Sequence, residues 1–242
     1  MESLVDWIVA LIAVVVVLIA AALAWFGVQR ERRTRFCVRE VPEFLSAEEC
    51  DLIIQLSKPL LKTATIQTSS GVREHSGRKA KVAFVEQTRD KRIRKIRRRI
   101  AELAELPDEN HSPLQAIRYQ VGDHYVAHVD YVAGTVEKLG PEGDRLRSVL
   151  IYLNDDFDGG QTLFSKIGLA VQPERGKAIV FDSLDSDGRP KPLSRHAGLA
   201  VLKGEKWVVN VLFHERALSQ TGNRAQRRSS TERHSLRYRS IH

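Results

Sequence analysis

From Leu114 to Phe213 the chain is a succession of short apolar runs divided by turns: "LQAIRYQV", "YVAHVDYV", "RSVLIYLN", "QTLFS", "LAVQP", "KAIVFD", "LAVLKG" and "KWVVNVLF". Runs of this length, rich in β-branched and aromatic residues, form strands. Eight of them predict a β-sandwich or a double-sheeted barrel. Upstream the hydrophobic period changes. In "SAEECDLIIQL", Ser46 and Glu49 stand at capping-box spacing, and Leu52, Ile53 and Leu56 make the apolar stripe of a short helix. A second helix is predicted from about Asp90 to Leu106. Ile93, Ile96, Ile100 and Leu103 line its inner face, and Arg92, Lys95, Arg98 and Arg99 form a solvated basic face. Between Thr68 and Lys81 the polar, glycine-punctuated "TSSGVREHSGRKAK" reads as a loop. No internal repeat is visible.

The N-terminal segment follows another pattern. Trp7 to Gly27 carries no charge and is about as long as a helix that crosses a bilayer, with Trp7, Trp25 and Phe26 at its ends. Ala22-Leu23-Ala24 could pass as a cleavage site, but a basic leader is missing and the apolar core is too long for a signal peptide. An uncleaved single-pass anchor is expected. Glu2 and Asp6 precede it and "RERRTR" follows, which places the remainder on the cytoplasmic side.

Charge adds little about the folded part. The net charge of +8 could suggest nucleic acid, yet the basic residues crowd residues 30–35 and the tail after 215, without interleaved aromatics. Near a bilayer such clusters meet anionic lipid, and no nucleic-acid partner is expected. The polar tail, 216–242, reads as disordered. Two cysteines, Cys37 and Cys50, make neither a disulfide framework nor a zinc signature, which suits a reducing compartment.

Candidate chemistry begins at "YVAHVDY". On a strand, His128 and Asp130 project to the same face and Val129 to the other. Alone, an H-x-D is a buried hydrogen-bonded pair more often than half a metal site, so a third ligand must decide. His234 and His242 are in the tail, His75 and His111 lie before the barrel, and His124 is too far along its strand. His196 and His214 remain. "NDDFDGG" opens like a calcium loop, but Ser165 stands at the twelfth position where glutamate is required, so it reads as an acidic turn.

Five features occur in order: Tyr119; His128-x-Asp130; "GGQTLF" at Gly159 to Phe164; "V-x-P-x-x-G-x-A-x-x-F" at Val171 to Phe181; and "SRHAGLAVLKGEKW" at Ser194 to Trp207. Over about Pro42 to Glu215 this resembles the catalytic domain of prolyl 4-hydroxylases, which are iron(II)- and 2-oxoglutarate-dependent dioxygenases. The resemblance implies a mainly β fold with supporting α-helices. A double-stranded β-helix (jelly-roll) barrel, about 113–215 within a catalytic domain 37–215, would follow the transmembrane anchor and basic segment of 1–36.

It further implies His128, Asp130 and His196 as Fe(2+) ligands, a set that leaves positions open for substrate and oxygen. Lys206 would pair with the far carboxylate of 2-oxoglutarate, with the Tyr119 hydroxyl as companion donor, because a buried charge needs a partner. The expected reaction hydroxylates an unactivated carbon with molecular oxygen, while 2-oxoglutarate gives succinate and carbon dioxide. L-ascorbate would keep the iron reduced. A proline-containing peptide or protein is the implied substrate. Arg145, Tyr125 and His214 match positions near the family's peptide groove. Leu212 stands where the family has tryptophan, so the shape of the proline pocket departs from the pattern. Alternatives stay open: the same cofactors acting on another side chain or a small molecule, or a non-catalytic module that holds a partner at the membrane.

Overall fold

The computed structural model describes residues 7, 11–21, 36–64, 66–68, 71–73, 77–85, 90–132, 140–185 and 187–218. In chain order the first strands are β1 (Val38–Val41), β2 (Lys62–Thr63), β3 (Ile66–Thr68), β4 (Gly71–Arg73), β5 (Arg78–Lys79), β6 (Lys81–Val85), β7 (Leu114–Tyr119) and β8 (His124–His128). There follow β9 (Arg145–Tyr152), β10 (Asp158–Gly159), β11 (Thr162–Phe164), β12 (Leu169–Val171), β13 (Ala178–Asp182), β14 (His196–Gly198), β15 (Val201–Lys203) and β16 (Lys206–His214). Between β1 and the barrel strand β7 lie the helices α1 (Ala47–Ser57) and α2 (Lys91–Ala104). Each of the eight apolar runs contains one strand.

The large sheet has seven strands in the order β1-β13-β9-β16-β7-β6-β2, and a five-stranded sheet runs β12-β11-β14-β8-β5. Every pairing in both is antiparallel. Strand alternation sorts the large sheet's side chains into two layers. Leu114, Ala116, Val149, Ile151, Val180, Val209, Val211 and Phe213 pack against the helices' Ile53, Ile93, Ile96 and Ile100. From the opposite face, Ile117, Tyr119, Tyr152, Ile179, Phe181 and Val208 meet Phe164, Val171 and Val201 in a second core. That second core forms the wall against which the site is built.

The helices are those that periodicity and capping dictate. Ser46 and Glu49 close a capping box on α1, and Asp90 caps α2 by accepting the Arg92 N–H. Arg97, which belongs to neither predicted face, is buried beside Asp108. Leu45 reaches the barrel through one close backbone approach. Its N–H donates to the Gly176 carbonyl at 3.0 Å, and a Cβ on Gly176 (φ +80°) would stand 2.2 Å from the Leu45 carbonyl oxygen. Only glycine fits there.

Three expectations need correction or restriction. The stretch from Thr68 to Lys81 is not all loop: β4 lies within it, and β5 adds to the five-stranded sheet opposite His124 and Tyr125. Its polar composition conceals a strand whose bonding comes from a distant partner. The H-x-D motif does not lie wholly on one strand, because β8 ends at His128. The expected membrane span, Trp7 to Gly27, lies partly outside the described residues, which include only residues 7 and 11–21 of it. Residues 11–21 are helical, and among the described residues no helix is long and apolar enough to cross a membrane. The tail beyond Leu218 is also outside them, whereas Arg216 and Leu218 still donate to the Glu142 and Glu109 carbonyls. Cys37 and Cys50 are free thiols.

Candidate active site

The small sheet supplies two imidazoles. In the β14–β8 pairing His196 faces His128 and Gly198 faces Tyr125, so β8 contains one extra residue between the pairs. Such a bulge re-aims side chains. Strict alternation would separate Tyr125 from His128, yet their rings stack with centroids 3.6 Å apart. Phe164 and Phe181 pack on the His196 ring at 5.4 and 4.9 Å and fix its plane.

Asp130 joins these rings from just beyond β8. His128, Asp130 and His196 each present a ligand atom, and those atoms lie within 4.8 Å of one another. The Nε2 of His128 is 3.5 Å from Asp130 Oδ1, and that of His196 is 4.0 Å from Oδ2. Each Nδ1 faces a backbone carbonyl at 2.9 Å, Val126 for His128 and Ser194 for His196. A carbonyl only accepts, so each Nδ1 carries the proton and each Nε2 offers its lone pair inward, the orientation a metal ligand requires. Ser148 Oγ donates to Asp130 Oδ2 at 2.6 Å. Burial raises the Asp130 pKa, but attraction to the imidazoles in their protonated form, with the Ser148 hydroxyl, outweighs it and holds the carboxyl below its usual range. Burial pushes the His196 pKa down, against the pull of Asp130. Two imidazole Nε2 atoms and one carboxylate gathered at one site fit ferrous iron.

The far end of the cleft needs an anion. Lys206 opens β16 and faces Tyr119 across the ladder. It is buried, its Nζ donates to the Gly160 carbonyl at 2.5 Å, and the Tyr119 and Tyr152 rings lie 5.3 Å from it. Among the described residues no carboxylate pairs with it, and burial pushes its pKa down to about 7. Burial raises the Tyr119 phenol to about 12, so it is a neutral donor. Thr162 Oγ1 already accepts the Tyr152 hydroxyl at 2.7 Å, which leaves its own proton available. Lys206, Tyr119, Thr162 and both imidazoles line one cleft of about 390 Å³, its open mouth included. A buried ammonium without an acid, in a cleft also lined by the Tyr119 and Thr162 side chains, fits the far carboxylate of a dicarboxylate whose other end reaches the metal.

The structure thus brings His128, Asp130, His196, Lys206, Tyr119 and Tyr125 together. Arg145 stands at the start of β9 but donates from Nη1 to the Asp130 carbonyl at 2.9 Å. His214 ends β16, half-buried, its Nδ1 3.3 Å from the Gly143 carbonyl, and burial lowers its pKa. Leu212 shares the parity of Lys206, Val208 and Asn210, so it continues the cleft-side row of β16. Several site residues lie outside the sequence expectation. Ser148 and Asn210 share the inward parity of β9 and β16. Thr162 is inside "GGQTLF". Arg78, from β5, lines the cleft with its Cζ 5.0 Å above the Tyr125 ring and Nη2 on Gln115 Oε1. Parity could have identified the first two, but nothing local marks Arg78.

A double-sheeted antiparallel barrel with an imidazole pair and a carboxylate at one end of its cleft, and a buried lysine at the other, defines an oxygenase of the iron- and 2-oxoglutarate-dependent class. The profile of the 2OG-Fe(II) oxygenase superfamily matches residues 114–214. Probable prolyl 4-hydroxylase 10 of Arabidopsis thaliana is 35% identical over 190 residues, which cover 68% of this chain and 64% of that protein. Prolyl 4-hydroxylase 1 of the same plant is 34% identical over 194 residues, 73% and 68% of the two chains. The chain therefore belongs to the prolyl 4-hydroxylase family. It spans about two thirds of the length of these relatives. In fold it is similar to the 2OG complex of the viral collagen prolyl hydroxylase from Paramecium Bursaria Chlorella virus-1. The TM-score is 0.60 at 24% identity, covering 73% of this chain and 95% of that one.

Proposed function

We propose that the protein hydroxylates a prolyl residue of a peptide or protein, with molecular oxygen and 2-oxoglutarate as cosubstrates and ascorbate sustaining turnover. The observation that carries this reading is the two-ended cleft: two imidazoles of a three-residue metal-ligating cluster share one cavity with a buried ammonium that no acid among the described residues pairs. A module that only held a partner would have no use for both. Ferrous iron, when bound, supplies oxygen activation coupled to decarboxylation of 2-oxoglutarate. The protein's own part is positional. His128, Asp130 and His196 hold one side of the metal, and Lys206, Tyr119 and Thr162 fix the cosubstrate's far end. Phe164, Phe181 and Val208 keep water from the inner wall.

The chain is further proposed to be tethered through Trp7 to Gly27, with the catalytic domain in the cytoplasm, on the support of the uncharged span and the arginines after it. The test of activity uses the full-length protein in detergent with ferrous iron, 2-oxoglutarate, ascorbate and proline-rich peptides. Succinate should form in step with peptides heavier by one oxygen atom, located on proline by fragmentation. Succinate without peptide hydroxylation across a broad proline-rich set, but with a small molecule oxidised, would move the reading to the other substrate class.

A further inference from the structure

Asp130 stands beyond the end of β8, where the strand ladder no longer holds the backbone. Ser148 fixes its carboxylate, but the backbone is held from another direction. Asp144 is buried next to the start of β9, and its Oδ1 accepts both the Val132 N–H and the Arg145 N–H at 2.7 Å. Arg145 then donates to the Asp130 carbonyl. The two residues thus grip the chain at Asp130 and again two residues later.

Asp144 is itself anchored. Its N–H donates to Glu215 Oε2 at 2.9 Å, and its carbonyl accepts the Glu215 N–H at 3.0 Å. One residue further, the Arg216 N–H donates to the Glu142 carbonyl and its Nε to the Pro141 carbonyl. The segment 141–145 is therefore fastened to the end of β16, the strand that begins with Lys206. A buried carboxylate that takes two backbone N–H groups makes charge-assisted bonds, about twice as strong as neutral ones. Asp144 is not one of the three clustered ligand side chains, and its Oδ1 is taken up by the Val132 and Arg145 N–H groups.

We propose that Asp144 is a positioning residue for the metal site. With Glu215 it latches the end of β16 to the segment 130–132, and so sets where the Asp130 carboxylate stands between His128 and His196. This rests on the reading of those three side chains as metal ligands. Groups that orient ligands typically change metal affinity by about 10–100-fold. A turn cap with no such role would alter stability and leave metal affinity alone.

The test is manganese(II) binding to the full-length protein in detergent, read from the paramagnetic resonance of free ion, alongside thermal unfolding. Wild-type binding and its loss in Asp130→Ala examine the metal-site reading by itself. Given those, folded Asp144→Ala should bind manganese(II) about tenfold or more weakly, and the visible spectrum of its cobalt(II) complex should shift. A loss of less than about fivefold overturns the proposal. If Asp144→Ala does not fold, Asp144→Asn decides, because it keeps an acceptor oxygen without the charge. A loss of about threefold or more supports the latch and anything smaller overturns it.

Discussion

Lys206 gives the site a pH dependence whose sign follows from its burial. Its ordinary pKa near 10.5 falls to about 7 because the ammonium is desolvated with no acid beside it. In the proposed site the far carboxylate of 2-oxoglutarate would bind the ammonium form. Below pH 7 the lysine is already charged, and binding requires no proton. Above pH 7 binding must take one up, so the dissociation constant should rise by up to about tenfold per pH unit until the pKa of the loaded site is passed. Calorimetry of the metal-loaded protein between pH 6 and 9, in buffers of different ionisation heat, would show this proton uptake. Affinity independent of pH would mean that the lysine stays charged without its ligand. At the other end of the cleft, His128→Ala, Asp130→Ala and His196→Ala should each abolish succinate formation. The ligands sit on the small sheet or just beyond it, so the folded far-ultraviolet spectrum should persist.

Two elements give the site its shape: the bulged strand β8, and β16 with Gly160 against it. Gly160 adopts φ +66°, and a Cβ there would lie 2.8 Å from Phe157 and 3.0 Å from Lys206 Cδ. Gly160→Ala should therefore displace the lysine as well as strain the turn. Stability should fall by about 1 kcal/mol or more, with weaker 2-oxoglutarate binding and unchanged manganese(II) binding. Equal losses at both ends of the cleft would show general unfolding instead. A contrasting change is Glu105→Gly at the left-handed end of α2 (φ 55°). It should raise stability by about 1 kcal/mol in urea titration, because glycine enters that region without the Cβ penalty. Elements of this kind were legible to different degrees. The helices follow from Ser46, Asp90 and the isoleucine spacing, and the eight runs follow from composition. The bulge that stacks Tyr125 on His128 does not, because it arises from pairing with a three-residue strand, "HAG", too short to be marked by pattern. Arg78 escaped for the same reason. Arg145 was legible as a site residue, but its bond to the Asp130 carbonyl depends on where Asp130 leaves the strand.

At the scale of the whole molecule, the large sheet separates two tasks. One face packs on α1 and α2, and the other forms the inner wall of the cleft. The lysine end of the cleft stands on this sheet, whereas the imidazoles stand on the five-stranded sheet, with Asp130 just beyond the end of β8. If the arginines after the apolar span orient the chain as proposed, with this unit in the cytoplasm, protease added to intact cells should leave it uncut. Digestion of the domain from outside unbroken cells would reverse that orientation. The central claim is that one cleft holds metal at the imidazole end and 2-oxoglutarate between metal and Lys206. Its most direct measurement is an anaerobic titration of the ferrous protein with 2-oxoglutarate, following the visible absorption of the chelate. Wild type should develop the band with saturation, and Asp130→Ala should not develop it. Lys206→Ala should develop it only at concentrations two to three decades higher, since the lost buried pair is worth roughly 3–5 kcal/mol. A Lys206→Ala titration that overlays the wild type would contradict the account.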